Sequence, residues 1–378
     1  MARVRAGILS MQRISNYGSF LQAYGLKAVL EELGCDVQFI DYEPGECLVR
    51  SRLSSVGFYH KVFKGFQALG YKASLANRIA FIKYKQTYAK RFYPMLGLTE
   101  EPNLSPNIDL LVIGSDEVFN CVQDNANVGF TPALFGEGIS AQRKVAYAAS
   151  FGSTTLDKLD RYGILGKVSS WLSDLDAISV RDINSGSIVK ELTDRTPVCN
   201  FDPVLVYDYM GRCDKIPASL GERAPYMILY GYSDRFTREE CSAVRTYADA
   251  NGLNVINIGG IQSCCDCFVD CSPFEVLAYF RGARVAVTDT FHGTIFSIIS
   301  HTPFATFIRD FDGGNYQKLS DLLERLGLSG RVVSQLSCLR DVLGEFINWS
   351  EIDSIINSER GRGYAYLGEQ VTFVGKGK

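Results

Sequence analysis

Short apolar, β-branched runs alternate along this chain with longer segments whose apolar residues recur at helical spacing. Residues 6–9 read as a first strand. In residues 20–33, Leu21, Tyr24, Leu26, Ala28, Val29 and Leu30 set a helical period that Gly34 stops. Residues 37–42 then complete a βαβ unit. Strand-like runs that break into polar residues follow at 110–117, 144–152, 176–182 and 197–203, separated by the helical stretches 156–172 and 184–192. A composition break at 209–225 reads as a linker. A second set begins at Tyr226, with strands at 226–232, 254–258, 285–287 and 304–308 and helices near 238–251, 273–281, 295–299 and 319–326. The pattern predicts an α/β protein with two doubly wound, Rossmann-like domains facing a cleft. Its expected divisions are 1–208, a linker 209–225, a C-terminal domain 226–345, and a helical segment and tail 346–378.

Composition narrows the function classes. The chain has 378 residues, 46% hydrophobic and 21% charged, as a globular protein requires. A net charge of -3 offers no nucleic-acid surface and no polybasic membrane patch. The first ten residues are too short and polar for a signal peptide, so a cytoplasmic protein is expected. Four of the 11 cysteines cluster at Cys264, Cys265, Cys267 and Cys271. Adjacent cysteines serve one tetrahedral ion poorly, so the cluster reads as a loop of incidental or redox-sensitive thiols ahead of a metal site. Residues 50–105 interleave aromatic and basic side chains; an amphipathic helix pair with a solvated basic face and a carbohydrate-lining cleft both fit.

Candidate chemistry sits where strands run into polar residues. His292-Gly293 falls between the strand 285–287 and the apolar helix beginning near Ile295. That crevice takes ligands in open α/β sheets, and free amides there favour an anion. The imidazole reads either as an acid–base group or as a hydrogen-bonded turn residue. His60 and His301 lack this setting; His301, near a helix end, suits a partner for the helix dipole. Asp116 is either a base or hydroxyl-binding group, or an N-cap. Asn16-Tyr17-Gly18-Ser19 is either a polar-ligand turn or a cap. The first βα turn lacks the three-glycine fingerprint, so no nicotinamide cofactor is inferred. Arg309, Lys318 and Arg331 read either as cations supplied to the site or as solvated surface cations, the second being favoured.

Five motifs in order resemble the polysaccharide pyruvyl transferase family: Asn-Tyr-Gly-Ser-Phe-Leu-Gln-Ala at 16–23, Val-Ile-Gly-Ser-Asp-Glu at 112–117, Ile-Ser-Val-Arg-Asp at 178–182, Phe-Asp-Pro at 201–203 and Thr-Asp-Thr-Phe-His-Gly-Thr at 288–294. The resemblance implies a glycosyltransferase B-like architecture, with the acceptor on the N-terminal side and the donor on the C-terminal side. It implies transfer of pyruvate from phosphoenolpyruvate onto a sugar of a surface polysaccharide or its precursor, as a cyclic ketal. On that basis His292 is the general acid. Asp116 is the base or hydroxyl-orienting group, with Asp289 as second choice. Arg181 is the anion clamp, joined by Thr290, Gly293, Thr294 and Asp289 at the donor. Asn16, Tyr17, Gly18, Ser115 and Glu117 face the acceptor. Characterised members carry an Arg two positions before the motif's His; this chain has Thr290 there. Phosphoenolpyruvate is a co-substrate, and no metal or other cofactor is expected. The partners implied are the small-molecule donor and a sugar or lipid-linked glycan acceptor, with at most peripheral membrane contact and no oligomeric state specified. A nucleotide-sugar glycosyltransferase on the same architecture, or a non-catalytic glycan-binding relative, are the alternatives.

Overall fold

The computed structural model describes residues 3–49, 71–309 and 314–376. His60 and much of the aromatic, basic stretch lie outside the described residues. The first half holds six strands: β1 (Arg5–Leu9), β2 (Asp36–Ile40), β3 (Leu110–Asp116), β4 (Arg143–Ala149), β5 (Ala177–Val180) and β6 (Val198–Cys199). They pair in parallel in the order β2-β1-β3-β4-β5-β6. The second half holds β7 (Tyr226–Tyr230), β8 (Asn254–Ile258), β9 (Cys267–Phe268), β10 (Ala286–Thr288) and β11 (Phe304–Thr306), parallel in the order β11-β10-β7-β8-β9. β3, β7 and β10 are buried along their whole length. Helices cover both faces of such sheets, which is why these strands are continuous apolar runs rather than alternating ones. These are two doubly wound sheets, as the sequence pattern requires.

The chain builds outward from β1 in one direction to β2 and in the other to β3; it does the same from β7 to β8 and to β10. Each sheet therefore has a reversal of strand order, β1/β3 in one half and β7/β10 in the other. Loops leaving the strands there diverge to opposite faces and open a crevice.

The halves share one apolar core. Its centre is the helix Tyr17–Glu32, started by Asn16, whose Oδ1 accepts from the Ser19 amide at 2.8 Å. That helix is buried on nearly every side because it packs on its own sheet and on the second half. Phe274 stands edge-on to Phe20 and Tyr24, with ring centroids 5.7 and 4.9 Å apart. The helix Leu75–Leu96 extends the junction: Phe81 lies 5.5 Å from Phe268, and Tyr84 lies 5.5 Å from Tyr17. Polar contacts cross as well. Tyr17 donates to the Cys271 carbonyl at 2.8 Å, and Asn77 Oδ1 accepts from the Phe268 amide at 2.9 Å.

The final helix, Trp349–Lys376, returns to the first half, where Tyr366 donates to the Ala146 carbonyl at 2.8 Å and Arg360 to that of Leu205 at 3.0 Å. His301 lies directly after the C-cap Ser300 of the helix Phe291–Ile299, the helix end expected for it. Its ring stacks on Trp349 at 5.0 Å and meets Asp353 at 2.9 Å, so it holds this last helix. Two of the expected surface cations are tied to partners instead: Arg331 is buried and donates to the Glu345 carbonyl at 3.0 Å, and the half-buried Arg309 pairs in two places with Glu240, at 2.5 and 2.9 Å. The cysteine cluster spans β9 and its flanks, and among the described residues no group of three or more His, Cys, Asp or Glu is placed to hold a metal ion. Among the described residues, no helix is long and apolar enough to cross a membrane.

Phe274→Ala removes a nearly buried ring from the junction and is expected to cost about 3–5 kcal/mol. Urea unfolding should show one transition displaced to lower denaturant, because both halves lose the same core. Two separated transitions would mean that the halves unfold independently.

Candidate active site

Both strand-order reversals open onto one cavity of about 270 Å³. Asn16 and Tyr17 reach it from beyond β1, Asp116 and Glu117 from the end of β3, Tyr232 and Arg235 from beyond β7, and Thr290, Phe291 and His292 from beyond β10. Arg181, at the exit of β5, completes the wall together with Lys85 from the helix Leu75–Leu96 and Lys318 from the helix Gly314–Arg325.

The deepest feature is a buried ion cluster. Arg181 donates to Asp202 Oδ2 at 2.7 Å and to Asp116 Oδ1 at 3.3 Å, and its guanidinium lies 4.7 Å from the Phe291 ring centre. Burial works against the Arg181 charge, but Asp116, Asp202 and Glu117 outweigh it and raise its pKa. Burial likewise pushes the Asp202 carboxyl up, and the adjoining His292 and Arg181 more than offset it, holding the group well below the usual carboxylate range. This corrects the reading of Arg181 as a free clamp. Its side chain is 2% exposed and two carboxylates hold its NH groups, so it fixes the site's framework.

His292 occupies the first turn of the helix Phe291–Ile299. Its Nε2 is buried with no hydrogen-bond partner and stands 3.6 Å from Asp202 Oδ2, beyond hydrogen-bond length but within reach of an ion pair. Gly18 packs directly beneath the imidazole, and a Cβ at that position would overlap the ring. Gly18 therefore supports the imidazole from outside the cavity wall. Asp116 is the last residue of β3 rather than a helix cap, with φ 72°. Its carboxylate accepts from Ser19 Oγ at 2.8 Å, the Glu117 amide at 3.0 Å and Arg181, which fixes its direction.

Glu117 pairs with Lys318 and accepts from Asn120 at 2.8 Å. Burial would raise Glu117, but the Lys318 charge dominates and brings its carboxyl down to about 2. Lys318 is thus a buried cavity cation, contrary to its expected surface role. Arg235 pairs with Asp289 at 2.9 Å, and Arg309 approaches the same carboxylate at 3.2 Å. Asp289 is fully buried beneath these two arginines and off the cavity wall, which removes it as a base. Ser115 is also buried, donating to the Ala148 carbonyl at 2.9 Å and to Asp202 at 3.1 Å, so it does not face an acceptor.

The helix start differs from the expected free-amide cradle. Thr290 Oγ1 accepts from the Gly293 amide at 3.0 Å, and the Thr294 amide donates to the Thr290 carbonyl at 3.1 Å. Neither amide is open to a donor, and Gly293 and Thr294 are buried under the wall. Thr290 itself lines the cavity.

Asp202, Arg235 and Tyr232 were not among the sequence candidates; of these only Asp202 had a signal, inside the Phe-Asp-Pro motif at 201–203. Lys85, in the aromatic and basic stretch, and Lys318 allow a site role in the sequence with a solvated role favoured for each, and both line the cavity.

A model of the family described as polysaccharide pyruvyl transferase matches residues 16–310. No curated protein sequence matches the chain. Similar solved structures include an O-GlcNAc transferase mutant from Thermobaculum terrenum (14% identity, 98% of this chain and 68% of that one, TM-score 0.44). A trehalose 6-phosphate synthase from Burkholderia multivorans follows at 12% identity (99% and 96% covered, TM-score 0.44). A UDP-GlcNAc 2-epimerase from Methanocaldococcus jannaschii has 9% identity (93% and 98% covered, TM-score 0.45). The family match covers most of the chain and takes in β3, β5, β7 and β10, whose exits line the cavity; this protein belongs to the polysaccharide pyruvyl transferase family.

Proposed function

We propose that the protein transfers pyruvate from phosphoenolpyruvate to two hydroxyls of a sugar, as a cyclic ketal on a surface polysaccharide or its precursor. The observation that carries this reading is the wall of the cavity between the two strand-order reversals. An imidazole and a directed carboxylate share it with four cations, Lys85, Arg181, Arg235 and Lys318, against two lining carboxylates, Asp116 and Glu117. Such a wall suits a small, multiply charged acid.

The chemistry follows from these positions. Protonated His292 delivers its proton to the donor's methylene carbon, and C2 becomes an oxocarbenium-like electrophile. The first sugar hydroxyl adds to C2 and gives its proton to Asp116. The C2–O bond to phosphate then breaks, and protonated Asp116 returns its proton to the departing phosphate. The second hydroxyl closes the ketal and restores the proton of His292. Asp202 offsets the charge on the imidazolium, and Arg181 keeps Asp202 and Asp116 in place. The donor's carboxylate and phosphate meet Arg235 and Lys318, so a cation anchored on Asp289 serves where other members carry one at the position of Thr290.

His292→Ala should lower turnover by at least ~10² while leaving donor affinity nearly unchanged, measured as phosphate release from phosphoenolpyruvate with an acceptor glycan. An unchanged turnover with a raised donor KM would remove His292 as the acid. Arg235→Ala should raise donor KM by about ten- to a hundredfold, the loss expected for one charged hydrogen-bonding group. Adding T290R to that variant should recover part of the loss, since Asp289 keeps Arg309 as its partner. No recovery, with the fold intact, would place the donor's anion elsewhere.

A further inference from the structure

A cavity of about 500 Å³ opens at the other end of the second sheet, between the segment 218–226 and the end of the helix Pro273–Gly282. The active-site cavity lies beyond the carboxyl end of β7, whereas this one meets Tyr226, the first residue of that strand. The length of β7 puts roughly 15 Å between them. Three guanidinium groups line the recess: Arg223 from the segment between β6 and β7, Arg281 from the last turn of the helix, and Arg284 just before β10. Carbonyls, not carboxylates, orient the first two. Arg281 donates to the carbonyls of Pro217 and Ala218, the latter at 3.0 Å. Arg223 Nε donates to that of Leu220 at 3.3 Å, and its guanidinium lies 4.9 Å from the Tyr279 ring centre. Such partners set direction without cancelling charge. Among the described residues none of the three makes an ion pair, and the neighbouring Glu222 is not on the wall. Val49, Tyr71 and Arg309, which border the stretches not described, lie at the active-site end of the sheets. The helix end at Gly282 contributes only about half a negative charge, and three full positive charges outweigh it.

We infer that this recess is a second anion site, built for closely spaced phosphate groups, whether of one free diphosphate or of anionic lipid headgroups. It stands apart from the pyruvyl-transfer reading, because none of its residues lines the active-site cavity. A planar guanidinium grips two phosphate oxygens at once, and it holds its charge at any working pH. Three such forks around one recess call for more oxygens and more charge than a single carboxylate carries; adjoining phosphates supply both. The recess is also partly prepared. Arg281 and Arg223 are already aimed by backbone carbonyls, so less side-chain freedom is lost when an anion arrives. A ligand held there ties the segment between the two sheets, through Arg223, to the second sheet's helix and strand entrance, through Arg281 and Arg284. Because only the folded chain assembles these three groups, occupancy stabilises the fold.

The test is titration calorimetry of the full-length protein with sodium pyrophosphate at fixed ionic strength. Saturable binding is expected, weakened at least ~100-fold in the double variant R223A/R284A, about tenfold for each charged hydrogen-bonding group. Both positions are exposed, so the ligand-free variant should melt with the wild type. Lys318→Ala, which reports on the active-site cavity, should leave this binding in place. Sulfate, a single tetrahedral group, should bind at least about tenfold more weakly than pyrophosphate. Co-sedimentation with phosphatidylcholine vesicles, with and without phosphatidylglycerol, separates the two sources. Pyrophosphate binding without sedimentation assigns the site to a free diphosphate. Sedimentation that needs phosphatidylglycerol and is lost in R223A/R284A, without pyrophosphate binding, assigns it to lipid headgroups. The inference is overturned if neither probe binds, if binding survives R223A/R284A, or if sulfate and pyrophosphate bind equally.

Discussion

One buried guanidinium sets the position of almost every group in this site. Arg181 holds Asp202 on one side and Asp116 on the other, with its flat face near Phe291. The three residues it contacts come from beyond β6, from β3 and from beyond β10, so it joins both halves of the molecule. Neither carboxylate would be stable in its buried place without that charge. Breaking a buried pair by removing one partner typically costs about 3–5 kcal/mol, since the other charge is left uncompensated. In return Asp116, the counter-charge of the His292 imidazole and the helix turn that begins at Phe291 share one rigid reference point.

That reference point would mean little if the halves moved freely. The helix Tyr17–Glu32 prevents this by being buried between them along most of its length. Its first turn also carries Gly18, whose missing side chain lets His292 descend onto the helix. The same segment therefore fixes the relative placement of the halves and sets the depth of His292. Close packing makes both tolerances narrow, because the imidazole and the helix backbone meet with no room for one added carbon.

The fold could be read from sequence because parallel strands buried on both faces leave long apolar runs, and runs ending in Gly-Ser-Asp or Thr-Asp-Thr mark strand exits. Asp116 and His292 were legible for that reason: each is a titratable side chain at such an exit. Charge was the quantity that sequence concealed. Lys318, Arg309 and Arg331 look like solvent-facing cations, and burial is visible only once a partner is known. Lys318 pairs with Glu117, 201 positions away, and Arg309 with Glu240, 69 away. The converse error was Arg181, which reads as an open clamp until Asp202 and Asp116 are seen to occupy it. The amides of Gly293 and Thr294 misled similarly, because Thr290 supplies the cap internally.

Thr290 shows how a local requirement can move a charge. The helix Phe291–Ile299 needs a cap, and a threonine hydroxyl accepts from the amide three residues on where an arginine side chain could not. The residue before it, Asp289, sends its carboxylate away from the cavity and beneath Arg235. A cation thereby reaches the wall from beyond β7 instead of from the cap position, tied to the same strand exit by one ion pair. Arg309 shares that carboxylate and is itself locked by Glu240. Arg235 is therefore held by a carboxylate that cannot easily relax, which fixes the direction of its guanidinium on the cavity wall. The cap and the cation have been separated onto two residues, each suited to one task, with Asp289 linking them.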